Sequence, residues 1–174
     1  MKIPGLITLF PAFFPFSTRG YSNSQHEGAM KILSPLGLEW IGEENSRYAI
    51  PTPALLLDLD VLEQNLTTAA QQALQKAINL RPHCKSHKSI TIAKLQMKAG
   101  AIGISCATLG EAEVMASADI PGILITSPIV SSGKIARLVA LNQKTDSLMV
   151  VVDNVQNVEA LAQANEKYPK PLQV

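Results

Sequence analysis

Net charge is almost absent from this 174-residue chain: 15 basic residues face 14 acidic ones, leaving +1. That balance supplies neither the basic footprint of a nucleic-acid binder nor a polyanionic tail, and leaves a small molecule as the partner. Cysteine is equally scarce. Cys84 and Cys106 alone cannot staple a secreted domain, and neither belongs to a Cys-x-x-Cys pair. A disulfide framework, a redox motif and a zinc knuckle are therefore disfavoured, and a reducing, cytoplasmic setting is expected. No apolar run reaches the ~20 residues of a membrane helix. The longest candidate, residues 3–16, is broken by Pro4, Pro11 and Pro15, which also spoils it as the helical part of an export signal. Neither Gly-x-Gly-x-x-Gly after the first strand nor Gly-x-x-x-x-Gly-Lys occurs, so a dinucleotide fold and a P-loop are disfavoured.

What remains is a well-buried globular composition, 47% apolar and 17% charged. Residues 1–47 read as a weakly ordered leader, with Met30 as an alternative start. From there the pattern becomes regular. A short apolar run at 54–58 is followed by Asp60, the expected N-cap. A helical stripe of Leu62, Leu66, Ala69, Ala70, Ala73, Leu74 and Ala77 comes next. Extended segments at 80–85, 101–107, 123–126 and 147–153 then alternate with helices at 90–99, 110–118, 133–142 and 155–168. A further strand opens at 171–174. Asp153 is expected to cap the helix after it.

Continuous apolar strands, each followed by a helix, indicate a parallel sheet covered by helices. The repeat of about 20–25 residues suits a (β/α)8 TIM-type barrel better than an open doubly wound sheet. Residues 48–174 supply only about the first half of the eight strands, so the chain is expected to be cut at its C-terminal end.

The densest cluster of reactive side chains is Arg81-Pro-His-Cys-Lys-Ser-His-Lys88. It stands where a barrel strand ends, the edge on which barrel enzymes place their chemistry. A lysine there, partly buried beside the cations Arg81 and Lys88, would present a nucleophilic amine for carbonyl chemistry. A solvated basic loop is the plain alternative. His83 and His87 are four apart, but Pro82 keeps the segment from being helical, so the spacing does not align them on a metal. No metal ligands are expected in this chain.

Thr52-Pro-Ala-Leu-Leu-Leu-Asp-Leu-Asp60, Asn65-Leu66 and Leu80-Arg-Pro-His-Cys-Lys-Ser-His-Lys-Ser89 resemble the N-terminal part of the D-threonine aldolase and D-serine dehydratase family. The likeness continues through Ala99-Gly100-Ala101, Cys106-Ala107 and Leu109-Gly-Glu-Ala-Glu113, and covers roughly residues 50–174. It implies the alanine-racemase-type barrel, fold type III, and a pyridoxal-phosphate-dependent lyase acting on D-amino acids.

In that family the first lysine of the string carries the cofactor, which maps to Lys85 as the catalytic residue. His83 and Arg81, on its side if the strand alternates, are the companion cofactor-binding candidates; a structural place in the barrel interior is the alternative for Arg81. His87 and Lys88 either meet cofactor or substrate or lie on the surface. Thr108, Thr126, Ser127 and Asp153 stand at later strand ends as supporting donors. The resemblance also implies phosphate-binding loops and a divalent metal site in a missing C-terminal part, and a homodimer when complete. The choice between aldolase and dehydratase rests on that part. A non-catalytic half-barrel, or a cofactor carrier without turnover, are the competing readings.

Overall fold

In the computed structural model the described residues are Pro53 and 57–174. The leader at 1–47 and most of the strand expected at 54–58 lie outside them. The chain divides into two compact units, Met1–Asn65 and Leu66–Val174. Helix α1 (Leu59–Gln75) begins in the first and ends in the second. Its start is capped by Asp58, whose Oδ1 accepts the Val61 amide at 3.0 Å. Asp60, the expected cap, already lies inside the first turn, where a carboxylate favours the helix dipole but does not cap. Of the apolar stripe on this helix, Ala73 is buried whereas Leu74 is 82% exposed. The periodicity marks the helix and overstates how much of it packs.

The second unit is built on three parallel strands in chain order, β1 (Ile104–Cys106), β2 (Ile123–Ile125) and β3 (Leu148–Val150). Ile104 pairs with Ile123, and Ile123 with Leu148. Each edge is extended by a single parallel bridge, His83 to Ser105 and Gln173 to Met149. The five extended segments of this unit thus lie side by side in sequence order. The first is shorter than expected. Pro82 has no N–H for the ladder, and only its carbonyl takes part, accepting from Ser105 at 2.8 Å.

Helices α2 (Ile90–Lys98), α3 (Leu109–Ala116), α4 (Ser132–Asn142) and α5 (Val155–Asn165) alternate with these strands. Ser89, Thr108 and Asn154 cap α2, α3 and α5 through their side chains. Asn154 thus takes the role expected of Asp153, whose Oδ1 instead accepts from the Asn154 amide group at 2.7 Å.

The two faces of the sheet separate cleanly. Ile104, Cys106, Ile123, Ile125, Leu148 and Val150 are at most 1% exposed. They form one core with Leu109, Ala112 and Met115 of α3, Leu138 and Val139 of α4, and Leu161 of α5. Full burial of each large aliphatic side chain contributes about 1.5–3 kcal/mol. The alternate residues point to the other face. Among the described residues no helix is long and apolar enough to cross a membrane.

Candidate active site

On the face away from the core the strand register stacks side chains in layers. Arg81 lies two residues before the His83 bridge, and Lys85 two residues after it. In the lowest layer, Arg81 Nη1 donates to the carbonyl of Gly122. Two glycines make room for it. A Cβ on Gly103 would run into the Gly122 carbonyl and the Arg81 guanidinium, and one on Gly122 would meet the Ile102 carbonyl. Gly122 also has φ +66°, a left-handed conformation that glycine adopts without strain. Arg81 therefore occupies the interior of the sheet's open face, its guanidinium engaged with backbone.

His83 forms the next layer. Its Nε2 lies 3.1 Å from Thr126 Oγ1, and its Nδ1 accepts the Lys85 amide at 3.3 Å. The Thr126 hydroxyl donates to the Cys106 carbonyl at 3.1 Å. One proton assignment satisfies all three contacts: Nε2–H donating to Thr126, with Nδ1 unprotonated. By capping the Lys85 amide, His83 ends the extended segment and starts a 3-10 turn, Cys84–Ser86. Strand alternation stops there, so Lys85 is presented by a turn.

Lys85 is exposed, and among the described residues its amine makes no hydrogen bond or ion pair. Partial burial beside two cations was the expectation from sequence. The difference arises because Arg81 is drawn to Gly122, while Lys88 pairs with Glu111 at 3.0 Å. Thr126 joins the site through His83.

Glu111 was not singled out from sequence, although a signal was available. Thr108-Leu-Gly-Glu111 has the capping-box spacing. Thr108 Oγ1 accepts the Glu111 amide at 3.2 Å, and Glu111 Oε2 reaches back to the Ala107 amide at 2.7 Å. Burial alone would push the Glu111 carboxyl up. The Lys88 ammonium and the Ala107 and Thr108 backbone outweigh it and hold the group below its ordinary range.

The remaining members of the cluster face elsewhere. His87 Nδ1 accepts the Ser89 amide at 3.1 Å, while its Nε2 is buried without a partner in hydrogen-bond geometry. Burial pushes the His87 imidazole pKa down, against a smaller opposing pull from the Gln96 side chain. Cys84 and Cys106 lie on the core face with their sulfurs 3.6 Å apart. That contact and burial hold Cys106 as a thiol. Among the described residues no three metal-ligating side chains gather.

Comparisons with known proteins give the chain its family. Residues 57–174 match the model of the alanine racemase N-terminal domain. The chain belongs to that family. It is 38% identical over 120 residues to the 3-hydroxy-D-aspartate aldolase of Paracoccus denitrificans, covering 68% of this chain and 31% of that one. It is 37% identical over 115 residues to the D-threonine aldolase of an Arthrobacter species, covering 66% and 30%. Among solved structures, D-threonine aldolase from Filomicrobium marinum superposes with a TM-score of 0.64 at 43% identity, over 66% of this chain and 31% of that one. D-threo-3-hydroxyaspartate dehydratase from Delftia sp. HT23 gives 0.62 at 29% identity, over 67% and 30%. The chain thus spans about 30% of the length of these relatives. Its parallel sheet flanked by helices corresponds to the N-terminal half of the alanine-racemase-type barrel.

Proposed function

We propose that this alanine racemase N-terminal-type domain belongs to a pyridoxal-phosphate-dependent lyase of 3-hydroxy-D-amino acids, with Lys85 holding the cofactor. The observation that carries the reading is the Lys85 turn: a primary amine, exposed and without a partner among the described residues, fixed at a strand end by His83. The donor set fits an aldehyde cofactor, because a free amine is the group that condenses with one. The substrate class follows from the relatives. D-threonine and 3-hydroxy-D-aspartate, named in those proteins, share a D-configured Cα and a hydroxyl on the next carbon. D-serine shares both, and is named in a dehydratase of Dictyostelium discoideum that is 29% identical over 127 residues.

Bound pyridoxal phosphate would supply an electron sink for the pair released when a bond to Cα breaks. The chain's own residues would do the rest. Lys85 would hold the cofactor, and its amine would be placed to take or return a proton at Cα. His83 keeps the Lys85 backbone in register with β1 and passes that constraint to Thr126. Arg81 sets the layer beneath, filling the space above Gly103 and Gly122. Cleavage of Cα–Cβ would make the protein an aldolase; loss of the C3 hydroxyl would make it a dehydratase.

The test is to incubate the purified protein with pyridoxal phosphate and D- and L-threonine, D-serine and 3-hydroxy-D-aspartate. Aldehyde or keto acid released from the D-isomers, and abolished by Lys85→Ala, is the expected result. Equal turnover of L-isomers, or activity that survives Lys85→Ala, would overturn it.

A further inference from the structure

We infer that Glu111 is a positioning residue that holds the Lys85 turn by pinning Lys88 to the end of β1. The inference rests on the reading of Lys85 as the reacting amine, and deepens it. The turn is closed by two amides on one carbonyl: Cys84 O accepts from His87 at 3.2 Å and from Lys88 at 2.7 Å. Lys88 makes this closure with φ +48°, a left-handed conformation that a non-glycine residue keeps only when its surroundings hold it.

The Lys88 amide closes the turn locally, and its side chain adds a second hold, through Glu111. One carboxylate oxygen takes the Lys88 ammonium at 3.0 Å, and the other takes the Ala107 amide at 2.7 Å. Ala107 directly follows β1, the strand that His83 bridges. The Lys85 turn is thereby tied to β1 at both ends, by His83 before it and by Lys88–Glu111 after it.

An ordinary surface ion pair contributes little, so the burial of the carboxylate matters. The Glu111 side chain is 12% exposed, although that of Lys88 is 65% exposed. The same helix offers a built-in comparison. Glu113 pairs with Arg137 of α4 through Nε at 2.9 Å and Nη2 at 2.5 Å, but its side chain is 33% exposed and the pair leads from helix to helix. Glu111 instead joins two segments that flank the reactive lysine.

The experiment measures amide hydrogen exchange over residues 85–88, and the rate at which borohydride fixes pyridoxal phosphate on Lys85. Both are read in the purified protein and its Glu111→Gln, Glu113→Gln and Lys88→Arg variants. Glutamine at 111 keeps an acceptor for Ala107 and removes the charge that holds Lys88. Glu111→Gln is expected to speed exchange of the His87 and Lys88 amides about tenfold, the scale of one charge-assisted hydrogen bond. It is also expected to slow fixation on Lys85 several-fold. Lys88→Arg should keep both values, and Glu113→Gln should stay within about twofold. Equal behaviour of the two glutamine variants would overturn the inference. So would faster exchange with unchanged fixation, since the turn would then be held to no effect on Lys85. Fixation absent from Lys85 in the unsubstituted protein would sink the proposed function instead, and exchange alone would then decide whether Glu111 holds the turn.

Discussion

The two faces of the sheet differ in what they carry: one is wholly apolar, the other sets polar side chains beside Leu124 and Met149. Toward the helices, β1, β2 and β3 present Ile104, Cys106, Ile123, Ile125, Leu148 and Val150, all essentially inaccessible. Toward the other side lie Arg81 and His83 of the extended segment beside β1, Ser105 of β1 and Thr126 just after β2. His83 meets Thr126, Ser105 donates to the Arg81 carbonyl, and Arg81 and Thr126 donate to the carbonyls of Gly122 and Cys106. Adjacent residues thus serve different ends: Cys84 is at 0% exposure in the core, while Lys85 beside it is exposed. The first face supplies stability with interchangeable aliphatic volume. The second supplies geometry, through side chains each held by a specific hydrogen bond.

The largest effect should come from breaking the packed face. Ile125→Ala leaves a cavity between β2 and the helices, and is expected to cost about 2–5 kcal/mol in urea unfolding. Lys85→Ala, on the exposed turn at the end of the polar segment, is expected to change stability by no more than about 0.5 kcal/mol. Comparable losses for both would dissolve the distinction between faces.

A smaller loss tests whether the open face depends on its glycines. Gly122→Ala must place a side chain at φ +66° and against the Ile102 carbonyl. The left-handed backbone alone costs about 1–2 kcal/mol. Arg81 should also lose its seat, seen as a change in the His83 ring resonances one layer above. An unperturbed His83 would mean that the layers are independent.

Acid should act more gently, on groups around the Lys85 turn and in two steps. Burial holds His87 below its ordinary value of 6.5. The unfolded chain therefore takes up that proton first, and the stability tied to neutral His87, complete above about pH 6.5, is lost as pH falls toward its folded value. Glu111 is held below its ordinary value of 4.5. Its contribution is present above that value and is lost as pH falls through the lower, folded one. Glu111→Gln should remove the second step and leave the first, in unfolding free energies followed from pH 8 to 3.

Much of this organisation was legible from sequence because it is periodic. Apolar runs at 101–107, 123–126 and 147–153 contain β1, β2 and β3, and helical spacing located α2 to α5 within one to three residues. The family resemblance rested on segments from Thr52 to Glu113, the string from Arg81 to Lys88 the most specific of them, and the family match over residues 57–174 bears it out. What escaped is local and polar. Whether Asp58 or Asp60 caps α1, and whether Asp153 or Asn154 caps α5, depends on where the first helical dihedral falls, which periodicity does not fix. The exposure of Lys85 escaped because alternation was extended past His83, where a side chain accepting a backbone amide converts strand to turn. Glu111 escaped because its two partners, Lys88 and Ala107, belong to different segments that only the parallel register brings together.

Lys85, on the His83-capped turn, is proposed as the cofactor lysine. The most direct test is to reduce the pyridoxal-phosphate-treated protein with borohydride, digest it, and locate the added mass by peptide sequencing. Modification of Lys85 in stoichiometric yield, with the other lysines unlabelled, is the result this account requires. Label on Lys88 or another lysine, or spread evenly over the exposed ones, would contradict it.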